Sequence, residues 1–112
     1  MTSEQLPVFG FDGFQHEVGA WAERTFPQAT PQSIVAHLRR EVEELAASTH
    51  LGPPEEEERE AGDCLLLLLH LAHKRGYRLL LAAHDKHAAN QARTWGEPDA
   101  EGVVQHIREL RR

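Results

Sequence analysis

The chain has 112 residues, enough for one domain with a modest hydrophobic core and too few for two domains that are each stable alone. Its 18 acidic against 12 basic residues leave a net charge of −6, which excludes nonspecific binding to duplex nucleic acid or to an anionic membrane unless cations bridge the contact. The single cysteine, Cys64, excludes an intramolecular disulfide framework and suits a reducing cytoplasm, and the longest strictly apolar run, residues 64–69, is far shorter than the roughly 20 residues that cross a bilayer.

The length points to a single domain over residues 1–112, and the N-terminus has neither the basic start nor the long apolar stretch of a secretory signal, so none is expected. Phe11, Phe14, Val18, Trp21, Ala22 and Phe26 recur at helical spacing, and Phe26-Pro27 with Pro31 breaks the pattern, so a first helix is predicted over residues 12–25. Thr30-Pro31 matches a helix cap followed by a first-turn proline, and Ile34, Leu38, Val42 and Leu45 then form an i, i+4 seam to about residue 49. Gly52-Pro53-Pro54 reads as a loop. Glu55 to Glu58 then place negative charge at the start of a third helix, predicted to run to Arg75 and stop at Gly76. Within it residues 64–69 are apolar all round, which on a helix requires burial on several sides, either centrally in a bundle or against another subunit. A fourth helix is predicted over residues 78–93, and Asp99 is a candidate cap for a short final helix carrying Val103, Val104, Ile107 and Leu110.

The residues that carry chemistry lie on the second and third predicted helices. At about 100° per residue, Glu41 and Glu44 fall beside the apolar seam while Glu43, Arg39 and Arg40 point away. Glu60 and Asp63 share a face one turn before Leu67. Four carboxylates at a helix boundary repel one another unless cations neutralise them, and a hard ion such as Mg²⁺ prefers all-oxygen ligands and also binds phosphate oxygens. The pattern points to metal-assisted attack of water on a phosphoryl group.

The order Glu41-x-x-Glu44, fifteen intervening residues, then Glu60-x-x-Asp63 resembles the signature of the MazG-like all-alpha nucleoside triphosphate pyrophosphohydrolases. His37-Leu38, Ala61-Gly62-Asp63, Lys86-x-x-x-Asn90-x-x-Arg93-x-Trp95-Gly96-Glu97-Pro98 and Gly102-Val103-Val104-x-His106-Ile107 are similar to the compact dATP/dGTP diphosphohydrolase branch, over about residues 14–108. The resemblance implies an all-α bundle of four to five helices. It implies hydrolysis between the α and β phosphates to a monophosphate and pyrophosphate, with Mg²⁺, or Mn²⁺ in its place, held by Glu41, Glu44, Glu60 and Asp63. Lys86, Asn90 and Arg93 recur at helical spacing, so Lys86 and Arg93 are expected on phosphate oxygens and Asn90 on sugar or base. Some relatives carry a water-activating glutamate just before the first metal ligand. Arg40 stands there in this chain, so Glu41 or Glu44 is the expected base.

Several further residues have a structural and a functional reading. Trp21 and Trp95 can stack on a purine or pack locally. Gln15 and His16 flank the first apolar stripe, where they can read a base edge or merely face solvent. His37, one turn before Glu41, can orient that ligand. His70/His73 and His84/His87 have i, i+3 spacing that suits zinc, but no cysteine cluster accompanies them. Two other functions stand beside the hydrolase: an HD-type metal phosphohydrolase built on His84-Asp85, and a non-catalytic helical nucleotide-binding or interaction module. The apolar third helix leads us to expect a homodimer or a dimer of dimers.

Overall fold

The computed structural model describes residues 10–107, in four helices: α1 (Gly10–Thr25), α2 (Pro31–Leu51), α3 (Pro54–Arg75) and α4 (Leu79–Gln91). Two compact bodies divide the chain, residues 1–80 and 81–112. Among the described residues no helix is long and apolar enough to cross a membrane.

In the first body the helix ends follow from local chemistry. Thr30 Oγ1 accepts from the Ser33 amide at 3.0 Å and Ser33 Oγ accepts from the Thr30 amide at 2.9 Å, so two otherwise unpaired donors at the start of α2 are satisfied reciprocally. Pro54, which needs no amide partner, begins α3, and Glu55, Glu56 and Glu57 fill its first turn. Gly76 ends α3 at φ +80°, the left-handed conformation that closes the last carbonyls and that glycine adopts without a Cβ penalty.

Helix α3 packs against both α1 and α2, with Ala22, Ile34, Leu69 and Ala72 as the buried apolar core. That arrangement answers the all-round apolar run only in part. Leu69 is fully buried, whereas Leu65 and Leu66 remain 38% and 40% exposed. Gly19 lets α1 approach α3 closely, because a Cβ there would overlap the His73 ring. The buried Gln15 ties the end of α3 to α1: its Nε2 donates to the Tyr77 carbonyl at 2.8 Å, and its Oε1 accepts from the Leu79 amide at 2.9 Å. Gln15 is therefore a structural bridge within the body rather than an exposed reader of a base edge.

The second body contains most of α4 and a turned segment where a final helix was expected. Trp95 and His106 form an antiparallel bridge, with Gly96 N–H donating to Gln105 O at 2.9 Å and Ile107 N–H to Thr94 O at 2.7 Å. Asp99 does act as a local cap, but of a turn: its Oδ1 accepts from the Glu101 and Val103 amides, both at 2.9 Å. Gly102, at φ +81°, lies in this turn, and Val103 and Val104 follow it outside any helix. Leu110 lies outside the described residues.

Candidate metal centre

Glu41 on α2 and Glu60 and Asp63 on α3 each offer a carboxylate oxygen, and the three oxygens lie within 4.8 Å of one another. They meet because α2 and α3 run side by side, with each acidic pair spaced so that both members face the neighbouring helix. Glu41 is only 15% exposed at its side chain, and its Oε1 lies 3.2 Å from His37 Nε2. The second oxygens of Glu41 and Glu60 are shut off from solvent without a hydrogen-bond partner. Uncompensated carboxylate oxygens of this kind are costly unless a cation meets them.

The electrostatics agree with that reading. Burial raises the Glu60 carboxyl above its ordinary range, and hydrogen bonding and repulsion from Glu44, then from Glu41, push it the same way. Glu44, outside the closest trio, therefore still belongs to the cluster. Cys64 sits beside it, and its thiol is pushed up by burial and then by Glu41, Asp63 and Glu60. A thiol kept protonated is a poor ligand, which leaves an all-oxygen donor set suited to a hard divalent ion. Beyond Glu44 and Glu60 a cleft of about 480 Å³ continues past Ser48, Gly52 and Glu56.

The other predicted residues fall in two places. In the first body Trp21 is 52% exposed and packs edge-to-face on Phe26, with ring centroids 5.5 Å apart. In the second body α4 ends at Gln91, two residues before Arg93, which shortens the predicted helix. Arg93 is nevertheless drawn back to the helix end, because its NH1 donates to Asn90 Oδ1 at 3.1 Å. Trp95 Nε1 donates to the Asn90 carbonyl at 2.9 Å, so Asn90, Arg93 and Trp95 form one local cluster with Lys86 a turn earlier on α4. The histidine pairs are otherwise engaged. His70 faces Glu23, His73 packs edge-on against His16, and His84 with Asp85 is exposed on α4. Among the described residues none of these histidines belongs to a group of three potential metal ligands.

Two features escaped the sequence. Glu23, His70 and Lys74 form a small polar cluster between α1 and α3, visible in sequence only as His70 and Lys74 one turn apart. The loop after α1, read only as a helix break, forms one wall of a cavity with α2 and α3.

The dATP/dGTP pyrophosphohydrolase family model matches residues 14–111. A dATP/dGTP diphosphohydrolase of cyanophage S-2L is 36% identical over 93 residues, covering 83% of this chain and 84% of the relative. One from Salmonella phage PMBT28 is 31% identical over 93 residues, and there the match spans 83% of this chain but 30% of the longer protein. The solved structure of the cyanophage S-2L MazG-like pyrophosphohydrolase, bound to dGDP and three catalytic Mn²⁺ ions per active site, superposes with a TM-score of 0.70 at 32% identity, covering 86% of this chain and 95% of that one. With an acidic centre at the α2/α3 contact and a family match over almost its whole length, the chain belongs to the dATP/dGTP pyrophosphohydrolases, metal-dependent all-α hydrolases of nucleoside triphosphates.

Proposed function

We propose that this protein cleaves the α–β phosphoanhydride of a purine deoxynucleoside triphosphate, dATP or dGTP, to the monophosphate and pyrophosphate. The observation that carries the proposal is the convergence of Glu41, Glu60 and Asp63 within 4.8 Å, with two carboxylate oxygens buried and unpartnered. Glu41, Glu44, Glu60 and Asp63 hold divalent cations, Mg²⁺ or Mn²⁺. When bound, the ions neutralise triphosphate charge and acidify water. His37 fixes the orientation of Glu41 from the solvent side. Glu44, exposed beside Glu60, takes the proton of the attacking water while pyrophosphate departs.

Lys86 and Arg93 bind phosphate oxygens and Asn90 the sugar or base, with Trp95 bracing Asn90 through its carbonyl. Trp21 contributes on the substrate side by supporting Phe26. Exposed Leu65 and Leu66 on α3, together with Leu80 and Leu81 on α4, support assembly into a homodimer or tetramer. Sizing with light scattering tests that assembly. The one cysteine, its thiol held protonated, suits a cytoplasmic protein.

The deciding experiment incubates canonical deoxynucleoside triphosphates with Mg²⁺ and scores monophosphate and pyrophosphate together. Purine substrates are expected to give equal amounts of both products, and Asp63→Asn is expected to lower kcat by at least about 100-fold with the helical spectrum retained. Release of orthophosphate, or full activity in Asp63→Asn, would refute the assignment.

A further inference from the structure

A cleft of about 520 Å³ lies where the start of α2 meets the end of α3, lined by Pro31, Gln32, Val35, Ala36, Arg39 and Arg75. Its volume is within the range of small-ligand pockets. Gln32, Val35, Ala36 and Arg39 fall three or four residues apart and so form one stripe of α2, to which α3 adds Arg75 from its last turn. The stripe is on the far side of α2 from the metal centre. Arg39 and Glu41 are about 200° apart around the helix, and Arg75 stands twelve residues past Asp63, about 18 Å along α3. The cleft is therefore separate from the carboxylates.

Its chemistry is that of an anion site. No carboxylate is among the lining residues, although the chain carries 18 acidic residues against 12 basic ones. Among the described residues neither guanidinium has a hydrogen-bond or ion-pair partner, whereas Arg78 meets Asp12 at 2.8 Å and Lys74 meets Glu23 at 3.1 Å. The negative end of the α3 dipole accounts for a cation at position 75, but not for a second guanidinium brought to the same cleft from another helix. Two like charges in one cleft repel, and an anion that meets both relieves that repulsion. Each guanidinium presents a planar fork of N–H donors that fits the oxygens of one phosphoryl group. The other walls, Pro31, Val35 and Ala36, are aliphatic, and no aromatic ring lines the cleft for a base to stack on. The lining selects a compact ligand with two phosphoryl groups, one for each fork.

We propose that Arg39 and Arg75 form a binding site for inorganic pyrophosphate, with the Gln32 carboxamide as a further donor. Pyrophosphate is also the product expected under the hydrolase reading, so the cleft gives that product a second place to bind without competing for the metals; the site itself does not depend on that reading. The test titrates pyrophosphate, orthophosphate, dGMP and citrate by calorimetry into protein freed of divalent ions on a chelating resin, at low ionic strength. Without metals the acidic centre repels these anions, so the titration reads the cleft. Wild type is expected to bind pyrophosphate saturably and the other three at least about 10-fold more weakly. Arg39→Gln and Arg75→Gln, both at exposed positions, are each expected to weaken pyrophosphate at least about 10-fold. Arg59→Gln, which removes the same charge from α3 outside the cleft, is expected to change it less than about two-fold. Initial turnover of dGTP with Mg²⁺ in Arg39→Gln is expected to stay within about two-fold of wild type.

Absence of saturable pyrophosphate binding by wild type would overturn the site, as would unchanged affinity in Arg39→Gln or Arg75→Gln. A loss of the same size in Arg59→Gln would reduce the effect to overall charge and overturn it equally. Citrate, orthophosphate or dGMP bound as tightly as pyrophosphate would overturn the choice of ligand. A protein that binds pyrophosphate through both arginines, yet hydrolyses nothing, would refute catalysis while upholding the cleft.

Discussion

Replacing Glu41 with glutamine separates a metal centre from a merely acidic surface, because the two readings differ in sign. Glutamine preserves the side chain's volume and can still meet His37, but it removes one charge from a site where two carboxylate oxygens are buried without partners. In the metal-free protein the substitution relieves repulsion around Glu60, so Tm should stay the same or rise. With Mg²⁺ the order reverses. At about 100 times its Kd the ion stabilises wild type by about 2.7 kcal/mol, and at roughly 4–8 °C per kcal/mol for a domain of this size the melting point climbs by about 10–20 °C. Loss of one of three converging ligands should weaken the ion at least about 100-fold. The same Mg²⁺ concentration then contributes about 0.4 kcal/mol, or roughly 2–3 °C. Differential scanning fluorimetry with and without Mg²⁺, and isothermal titration of Mn²⁺, measure both quantities. A variant that keeps the full metal-dependent shift, or one whose metal-free form melts several degrees lower, would refute the reasoning.

Other substitutions probe the frame around the site. Gly19→Ala should cost about 1–3 kcal/mol in urea unfolding, because its methyl group meets His73 at the α1/α3 contact; an unchanged midpoint would mean that the helices are not in close approach there. Thr30→Ala removes one half of the reciprocal cap of α2 and should lower stability by about 1 kcal/mol while leaving the Mg²⁺-induced shift intact. Glu23 titrates below its ordinary 4.5, chiefly through its hydrogen bond to Lys74, with burial opposing and His70 assisting. Because its folded value is the lower one, the stability it contributes is present above the unfolded value and is lost as pH falls through the folded value. Wild type should therefore melt above Glu23→Gln at pH 7, with the gap narrowing as pH falls below the ordinary 4.5, and a constant gap through that acid range would remove the ion pair from the account.

Much of the site was legible because its information is local. Proline, glycine and threonine at 30, 31, 54 and 76 restrict the backbone within one or two residues, and the observed helix limits follow them. The i, i+3 spacing of Glu41/Glu44 and Glu60/Asp63 puts each pair on one helical face whatever surrounds it. Asp99 marks where local reading fails. A capping aspartate can begin a helix or a turn, and the downstream Gly102 with Val103 and Val104 decided for the turn.

By itself, then, the sequence determined the helical class, the helix limits in the first body to within two residues, and the pairing of Glu41 with Glu44 and of Glu60 with Asp63 on common helical faces, since each depends on backbone restriction and periodicity over a few residues. Only the tertiary structure decided that Glu41, Glu60 and Asp63 face one point, that Gln15 is a buried bridge, and that His70 lines the same cavity as His37. Those relations join residues from 19 to 64 positions apart in the chain. They arise from the packing of α1 and α2 against α3, which a helical period read along one segment does not encode.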